Sequence, residues 1–158
     1  MWDQYVAPIP EAERGDMVAA YYKRLTSDDP GVRAEAGRAW SLWEMATSRL
    51  YVDPDYLARV DKAGFADAFA RIECHYFVNG GWMDDGQLLR KDNIDKIRHI
   101  PATIVQGRYD VVCPAMTAWE LHKQWPEAKF ILVDAAGHSA VEPGIEKALV
   151  EATDALVA

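Results

Sequence analysis

Two short apolar runs that follow residue 100 of this 158-residue chain constrain its fold more than any other feature. Residues 102–106 (Ala-Thr-Ile-Val-Gln) and 130–133 (Phe-Ile-Leu-Val) have the length and composition of strands buried on both faces, as in parallel sheets. A helical pattern between them begins at Pro114 and ends before Pro126, and a second amphipathic helix covers 145–157. This alternation of strand and helix predicts an α/β fold.

The part of the chain before residue 100 has a helical pattern instead, broken by turn residues such as the Asp53-Pro54 pair. The predicted helices cover residues 12–25, 30–50, 55–78 with an interruption at Gly64, and 88–99. We therefore predict an all-helical domain over 1–99, followed by a β-α-β-α portion over 100–158. Because two strands do not make a self-sufficient sheet, this second portion is expected to be incomplete without an N-terminal half.

The composition argues against two classes of partner. The formal charge is −8, with 25 acidic residues against 17 basic ones, so neither nucleic acid nor an anionic membrane surface is expected to bind. The N-terminus has no basic segment followed by an apolar one, and no apolar stretch is long enough to span a bilayer, which predicts a soluble cytoplasmic protein. Cys74 and Cys113 have no metal-ligand spacing and are expected to be buried thiols.

Asp110 and His138 each follow one of the two predicted strands almost immediately. A strand-helix-strand crossover places the carboxyl ends of both strands at one sheet edge, and neighbouring strands lie ~4.8 Å apart. We therefore expect the two side chains to meet, as the orienting acid and the base of a catalytic triad do. On spacing alone, the alternative is that Asp110 caps the following helix and His138 only occupies a turn.

The local sequences around these two residues resemble a known enzyme family. The strings Gly-Arg-Tyr-Asp-Val-Val-Cys-Pro (107–114) and Ala-Gly-His-Ser-Ala (136–140) are similar to the acid and histidine loops of proline iminopeptidases, which are α/β-hydrolase serine peptidases. The resemblance implies that the chain is the C-terminal half of such an enzyme, with residues 1–99 as a helical cap. It also implies that Asp110 and His138 are catalytic and that no metal or organic cofactor is needed.

Two stretches of the helical part, Trp40–Glu44 and Ala70–Phe77, look like the cap of the same family. The resemblance implies that Glu44 and Glu73 bind the free amino group of an N-terminal proline and that Phe77 lines the pocket. Acids placed among aromatic residues at i±4 spacing suit a bound cation. On the pattern alone, the two glutamates could instead pair with a neighbouring arginine or face solvent, and Phe77 could belong to the core.

Two positions depart from the family pattern. Met45 stands where a glycine is usual, and Cys74 stands where an asparagine is usual. These departures leave open a second prediction, an α/β-hydrolase that acts on another ester or amide.

The chain contains no candidate nucleophile. Its serines, at positions 27, 41, 48 and 139, all lie outside a G-x-S-x-G elbow, and no glycine-rich oxyanion loop is present. We therefore expect the isolated chain to be inactive, whether it is a truncation, half of a split enzyme or a non-catalytic binding or assembly remnant. The expected partners are a peptide with an N-terminal proline and either an N-terminal half of the same enzyme or a second copy of the chain.

Overall fold

The computed structural model describes residues 1–62 and 64–157. Within these ranges the strands are β1 (Thr103–Gly107) and β2 (Lys129–Val133). The α-helices are α1 (Trp2–Val6), α2 (Met17–Leu25), α3 (Pro30–Thr47), α4 (Pro54–Leu57), α5 (Phe65–Val78), α6 (Lys91–Ile97), α7 (Ala115–Gln124) and α8 (Pro143–Val157). Short 3₁₀ turns cover Glu11–Glu13, Ala58–Asp61, Gly80–Trp82 and Gln87–Leu89.

The predicted β-α-β-α ending is confirmed. Strands β1 and β2 pair in parallel, with Thr103 opposite Lys129 and Gly107 opposite Val133, and helices α7 and α8 both pack against β1. The carboxyl ends of the two strands therefore lie side by side at one edge. A crossover helix between two adjacent parallel strands is the repeating unit of α/β folds, so the α/β-hydrolase fold class is the correct one.

The predicted helices of the first part are present, with bounds that differ from the predicted ones. Helix α2 begins at Met17 rather than at residue 12, because the Asp16 side chain caps it by accepting a hydrogen bond from the Ala19 amide. The predicted interruption of the helix over 55–78 at Gly64 is confirmed, since Gly64 has a φ of 76°, a left-handed conformation that ends one segment before α5 begins.

The chain divides into two compact units. Unit 1 comprises residues 1–46 and 53–84, and unit 2 comprises residues 47–52 and 85–158. The core of unit 1 lies among helices α2, α3 and α5, where Tyr21, Leu25 and Trp40 are the largest fully buried side chains together with Ile9 and Cys74. A second cluster in the same unit joins Leu42, Met45 and Val60.

Unit 2 begins earlier in the chain than the boundary predicted at residue 99. Ile94 of α6 is buried against Trp125 and Ala128, and Arg98 forms an ion pair with Glu127, so residues 85–99 belong with the strands. Residues 47–52 belong to unit 2 as well, because they bond to the loop that follows β2. The assignment of the units as a cap and a hydrolase core stays a prediction.

Two further sequence expectations concern the cysteines and the membrane. Cys74 is buried as expected, but the expectation is wrong for Cys113, which is exposed because it lies in the loop between β1 and α7. In the described ranges, every helix is either too short or too polar to cross a bilayer.

Candidate active site

Asp110 lies in the loop that leaves β1, and its side chain is only 5% exposed. One carboxylate oxygen, Oδ1, accepts hydrogen bonds from the backbone amides of Val112 (2.9 Å) and Cys113 (2.7 Å). The other oxygen, Oδ2, lies 2.9 Å from Nδ1 of His138. The aspartate therefore shapes its own turn with one oxygen and holds the imidazole with the other, so the two alternatives open at the sequence level are not exclusive.

A second buried polar side chain supports this turn. Gln106, near the end of β1, is 8% exposed, and its Nε2 group donates to the backbone oxygens of Gly107 (3.0 Å) and Cys113 (3.1 Å). Nε2 also lies 3.3 Å from Oδ2 of Asp110. Gln106 was not among the predicted site residues, although a polar residue at the end of an apolar strand was a usable signal.

The side chain of His138 is partly exposed to solvent. Its side chain is 41% exposed, and Asp110 is its hydrogen-bond partner through Nδ1. In the tautomer with the proton on Nδ1, His138 donates to the carboxylate, and Nε2 carries the lone pair. This arrangement can accept a proton from a hydroxyl group and stabilise the resulting imidazolium.

The loops that carry Asp110 and His138 are in direct backbone contact. The amides of Arg108 and Tyr109 donate to the carbonyls of Val133 (2.9 Å) and Ala136 (3.0 Å). A Cβ atom on Gly107 would lie 1.9 Å from the carbonyl oxygen of Gly137, so only glycine fits at the end of β1. The close approach of the two loops brings the acid and the histidine within hydrogen-bond distance.

The histidine loop is also bonded to residues 47–52. The amides of His138 and Ser139 both donate to the carbonyl oxygen of Ser48, at 3.0 Å and 2.7 Å. This anchor joins segments ninety residues apart in sequence (48 and 138), so no local pattern could have indicated it.

In unit 1, the two predicted glutamates lie near the same buried aromatic residues. Oε2 of Glu73 accepts a 2.7 Å hydrogen bond from the indole Nε1 of Trp40. Burial, followed by the nearby charge of Glu44 and smaller effects of Cys74 and Glu73, raises the pKa of Tyr5 to about 12. Both carboxylates therefore act on one buried phenol, which stays neutral at physiological pH.

Aromatic rings pack around Tyr5 and Trp40. The ring of Tyr5 stacks on Trp43 with a centroid distance of 5.0 Å and lies 6.2 Å from Trp40. Phe77 is 50% exposed and lies 6.0 Å from Trp40, so it belongs to the surface beside the group rather than to the core. The role of these residues in binding substrate stays a prediction.

The two departures from the family pattern are both buried. Met45 packs in the second core cluster, and Cys74 is fully buried, with Sγ 3.5 Å from the carbonyl oxygen of Val18. Burial and, to a smaller extent, the charge of Glu73 raise the pKa of Cys74 to about 11, so the thiol stays protonated. Both side chains therefore contribute to packing.

Comparison with known proteins places this site in a family. The model of the TAP-like proteins, one of the α/β-hydrolase families, matches residues 72–158, which include β1, β2, Asp110 and His138. The chain belongs to this α/β-hydrolase family. The match begins within α5 and continues through all of the β-α-β-α portion.

The α/β-hydrolase chain is also similar to curated proteins along almost its whole length. It is 57% identical to a "Probable proline iminopeptidase" of Leptolyngbya boryana over 99% of the chain and 49% of that protein. It is 55% identical to a proline iminopeptidase of Xylella fastidiosa and 53% identical to one of Arabidopsis thaliana. The chain spans about half the length of the curated relatives it matches.

Proposed function

We propose that this α/β-hydrolase chain is the C-terminal half of a proline iminopeptidase, which releases an N-terminal proline from peptides. The hydrogen bond of 2.9 Å between Asp110 and His138 carries the proposal, because an aspartate bonded to Nδ1 of a histidine is the arrangement that serine hydrolases use for their acid and base. The names of the relatives, to which the chain is 53–57% identical, support the choice of substrate.

In the proposed reaction, His138 acts as general base and then as general acid. A serine outside this chain attacks the carbonyl carbon of the N-terminal proline, and Nε2 of His138 takes the hydroxyl proton. When the tetrahedral intermediate collapses, Nε2 gives that proton to the departing amine. A water molecule then repeats the sequence and releases proline. Asp110 orients the ring and stabilises the imidazolium through Nδ1.

Glu44 and Glu73 are proposed to hold the amino group of the substrate. A proline amine at neutral pH is a secondary ammonium ion, which two carboxylates bind through charge-assisted hydrogen bonds. The indole of Trp40 orients Glu73, and the exposed ring of Phe77, 6.0 Å from that of Trp40, offers aromatic surface for the pyrrolidine ring.

The isolated chain is proposed to be inactive. None of its serines lies in a nucleophile elbow, so His138 has no hydroxyl to activate. The tetrahedral intermediate would also lack its oxyanion donors, each of which contributes about 3 kcal/mol.

We expect a chromogenic proline amide to be hydrolysed by a mixture of two halves but not by this chain alone. The second half would be the separately expressed N-terminal half of the Leptolyngbya boryana relative, which supplies the part that the chain does not match. The measurement is release of the chromophore, with complex formation checked by size-exclusion chromatography. Turnover by this chain alone, or none in a mixture shown to associate, would contradict the proposal.

The same mixture separates the alternative substrate class. Met45 and Cys74 pack where the family pattern has a glycine and an asparagine, which favours a changed pocket as the second candidate. Hydrolysis of a simple ester such as p-nitrophenyl acetate without hydrolysis of the proline amide would support that candidate. A folded, associated and inactive mixture would support a binding or assembly role.

Replacing Glu73 with glutamine is expected to raise the KM of the mixture for a proline amide by about 10- to 100-fold, because one charge-assisted hydrogen bond to the ammonium is lost. The carboxamide oxygen can still accept from Trp40, so the helical unit keeps this contact. The measurement is steady-state kinetics with a proline amide and with an ester that lacks the amine.

Glu11→Gln is the matched control, because Glu11 is an exposed acid in the same unit. Its KM should equal that of the unsubstituted chain. An equal loss of activity on both substrates in Glu73→Gln would instead assign Glu73 a structural role.

A further inference from the structure

Glu142 is a buried acid for which the reaction above has no use. It follows His138 by four positions, and only 8% of its surface is exposed. Its two carboxylate oxygens bind two different backbone amides. Oε1 accepts from Gly137 at 2.8 Å, and Oε2 accepts from Leu50 at 3.1 Å. Burial of a carboxylate is costly, so such a group is kept only where its hydrogen bonds are made.

The amides of Gly137 and Leu50 flank the hydrogen bonds between the Ser48 carbonyl and the histidine loop. Gly137 immediately precedes His138, and Leu50 lies two residues after Ser48, whose carbonyl oxygen accepts from the amides of His138 and Ser139. The carboxylate and the Ser48 carbonyl thus connect the histidine loop to residues 48–50 at both ends. The histidine backbone is held by this ring of hydrogen bonds, independently of the imidazole's own bond to Asp110.

The fit between the two segments leaves no space for adjustment. A Cβ atom on Gly137 would lie 2.8 Å from the amide nitrogen of Leu50 and 3.2 Å from Oε1 of Glu142. The backbone at 137 is therefore in contact with the backbone at 49–50, and Glu142 bridges them at the point of closest approach.

We propose that Glu142 is a positioning residue for His138. Its carboxylate fixes the loop of residues 137–139 against residues 48–50, so that Nδ1 meets Asp110 and Nε2 faces the incoming hydroxyl. The consequence for catalysis rests on the proposed function, but the effect on the loop does not. Both carboxylate oxygens are needed as acceptors, because both partners are N–H donors.

This requirement makes glutamine an informative substitution. Glutamine has the size of glutamate but only one accepting oxygen, and its NH₂ group would face one of the two amides. A residue that only fills space would tolerate Glu142→Gln. A residue that must accept from Gly137 and Leu50 together would not.

The test is NMR on this chain with Glu142→Gln. At least one of the amides of Gly137 and Leu50 should exchange with solvent about 10- to 100-fold faster, because a hydrogen bond to a charged group is lost. The Nδ1–H resonance of His138 should broaden or disappear as its bond to Asp110 loosens. Glu146→Gln, an exposed acid on α8, is the control and should change neither signal.

Amides of the unit's core, such as that of Trp125, which donates to Leu121, report whether the fold persists. They should stay protected in Glu142→Gln. Equal loss of protection throughout unit 2 would overturn the proposal, since Glu142 would then stabilise the whole unit. If Glu142→Gln prevents folding, Glu142→Asp keeps both oxygens on a shorter arm and should affect Gly137 and Leu50 before the core. Unchanged exchange and an unchanged imidazole signal would also overturn it.

A kinetic measurement separates this proposal from the peptidase activity. In the mixture of halves, Glu142→Gln should lower kcat by about 100-fold with little change in KM, as expected for a displaced catalytic group. A mixture that is inactive even without the substitution would count against the proposed function only. The NMR result would still decide the role of Glu142.

Discussion

Replacing His138 with alanine in the mixture of halves is expected to lower kcat for a proline amide by about 10⁴-fold or more. In the proposed reaction the serine proton passes through the imidazole, and Asp110, which is 5% exposed and bonded to Nδ1, does not replace it. KM should change little, because the proposed ligands of the substrate ammonium are Glu44 and Glu73. The measurement is single-turnover and steady-state hydrolysis.

Two further variants make this prediction specific. His99→Ala removes an exposed histidine from the same unit and should leave kcat unchanged. Asp110→Asn keeps an oxygen for the amides of Val112 and Cys113 but removes the charge that selects the tautomer, so a loss of about 10⁴-fold is expected without unfolding. More than 1% of the activity remaining in His138→Ala would contradict the assigned base.

Substitution of Gly107 by alanine is expected to disrupt the site and destabilise unit 2. The added Cβ would lie 1.9 Å from the carbonyl oxygen of Gly137 and 2.8 Å from that of Ala136, and both atoms belong to backbone. Gly107 is itself held in register opposite Val133, so neither strand can move without breaking the parallel pair. We expect the free energy of unfolding to fall by about 3 kcal/mol, at the upper end of the range for overpacking.

The measurement is urea unfolding followed by far-UV circular dichroism, together with the Nδ1–H resonance of His138. Gly15→Ala is the matched control, because a Cβ there would have nothing within 4 Å and the backbone does not adopt a left-handed conformation. This control should be neutral or slightly stabilising. A Gly107→Ala chain as stable as Gly15→Ala, with an unchanged histidine signal, would show that the two loops do not meet as described.

Features that depend on neighbours in sequence could be predicted without a structure. The apolar runs and the helical pattern between them indicated a parallel pair, because burial on both faces leaves a local record in composition. Topology then placed the residues that follow the two strands at one edge, where Asp110 and His138 lie 2.9 Å apart. The interruption at Gly64 was predicted as well, because a glycine inside a helical pattern is a local signal, whereas the start of α2 was not, since it depends on capping by the single residue Asp16.

The sequence by itself therefore determined the fold class, the order of strands and helices, and the nearness of the acid and the histidine. Only the tertiary structure decided how the histidine loop is held. Ser48 acts through its backbone carbonyl, which has no side-chain signal, and Glu142 accepts from the amide of Leu50, which is far from it in sequence. Gly107 and Gly137 are required because two segments of the backbone approach each other closely. The same holds for the bond between Trp40 and Glu73. Such contacts depend on which surfaces pack together, and the periodicity of apolar residues predicts only which face of an element is buried.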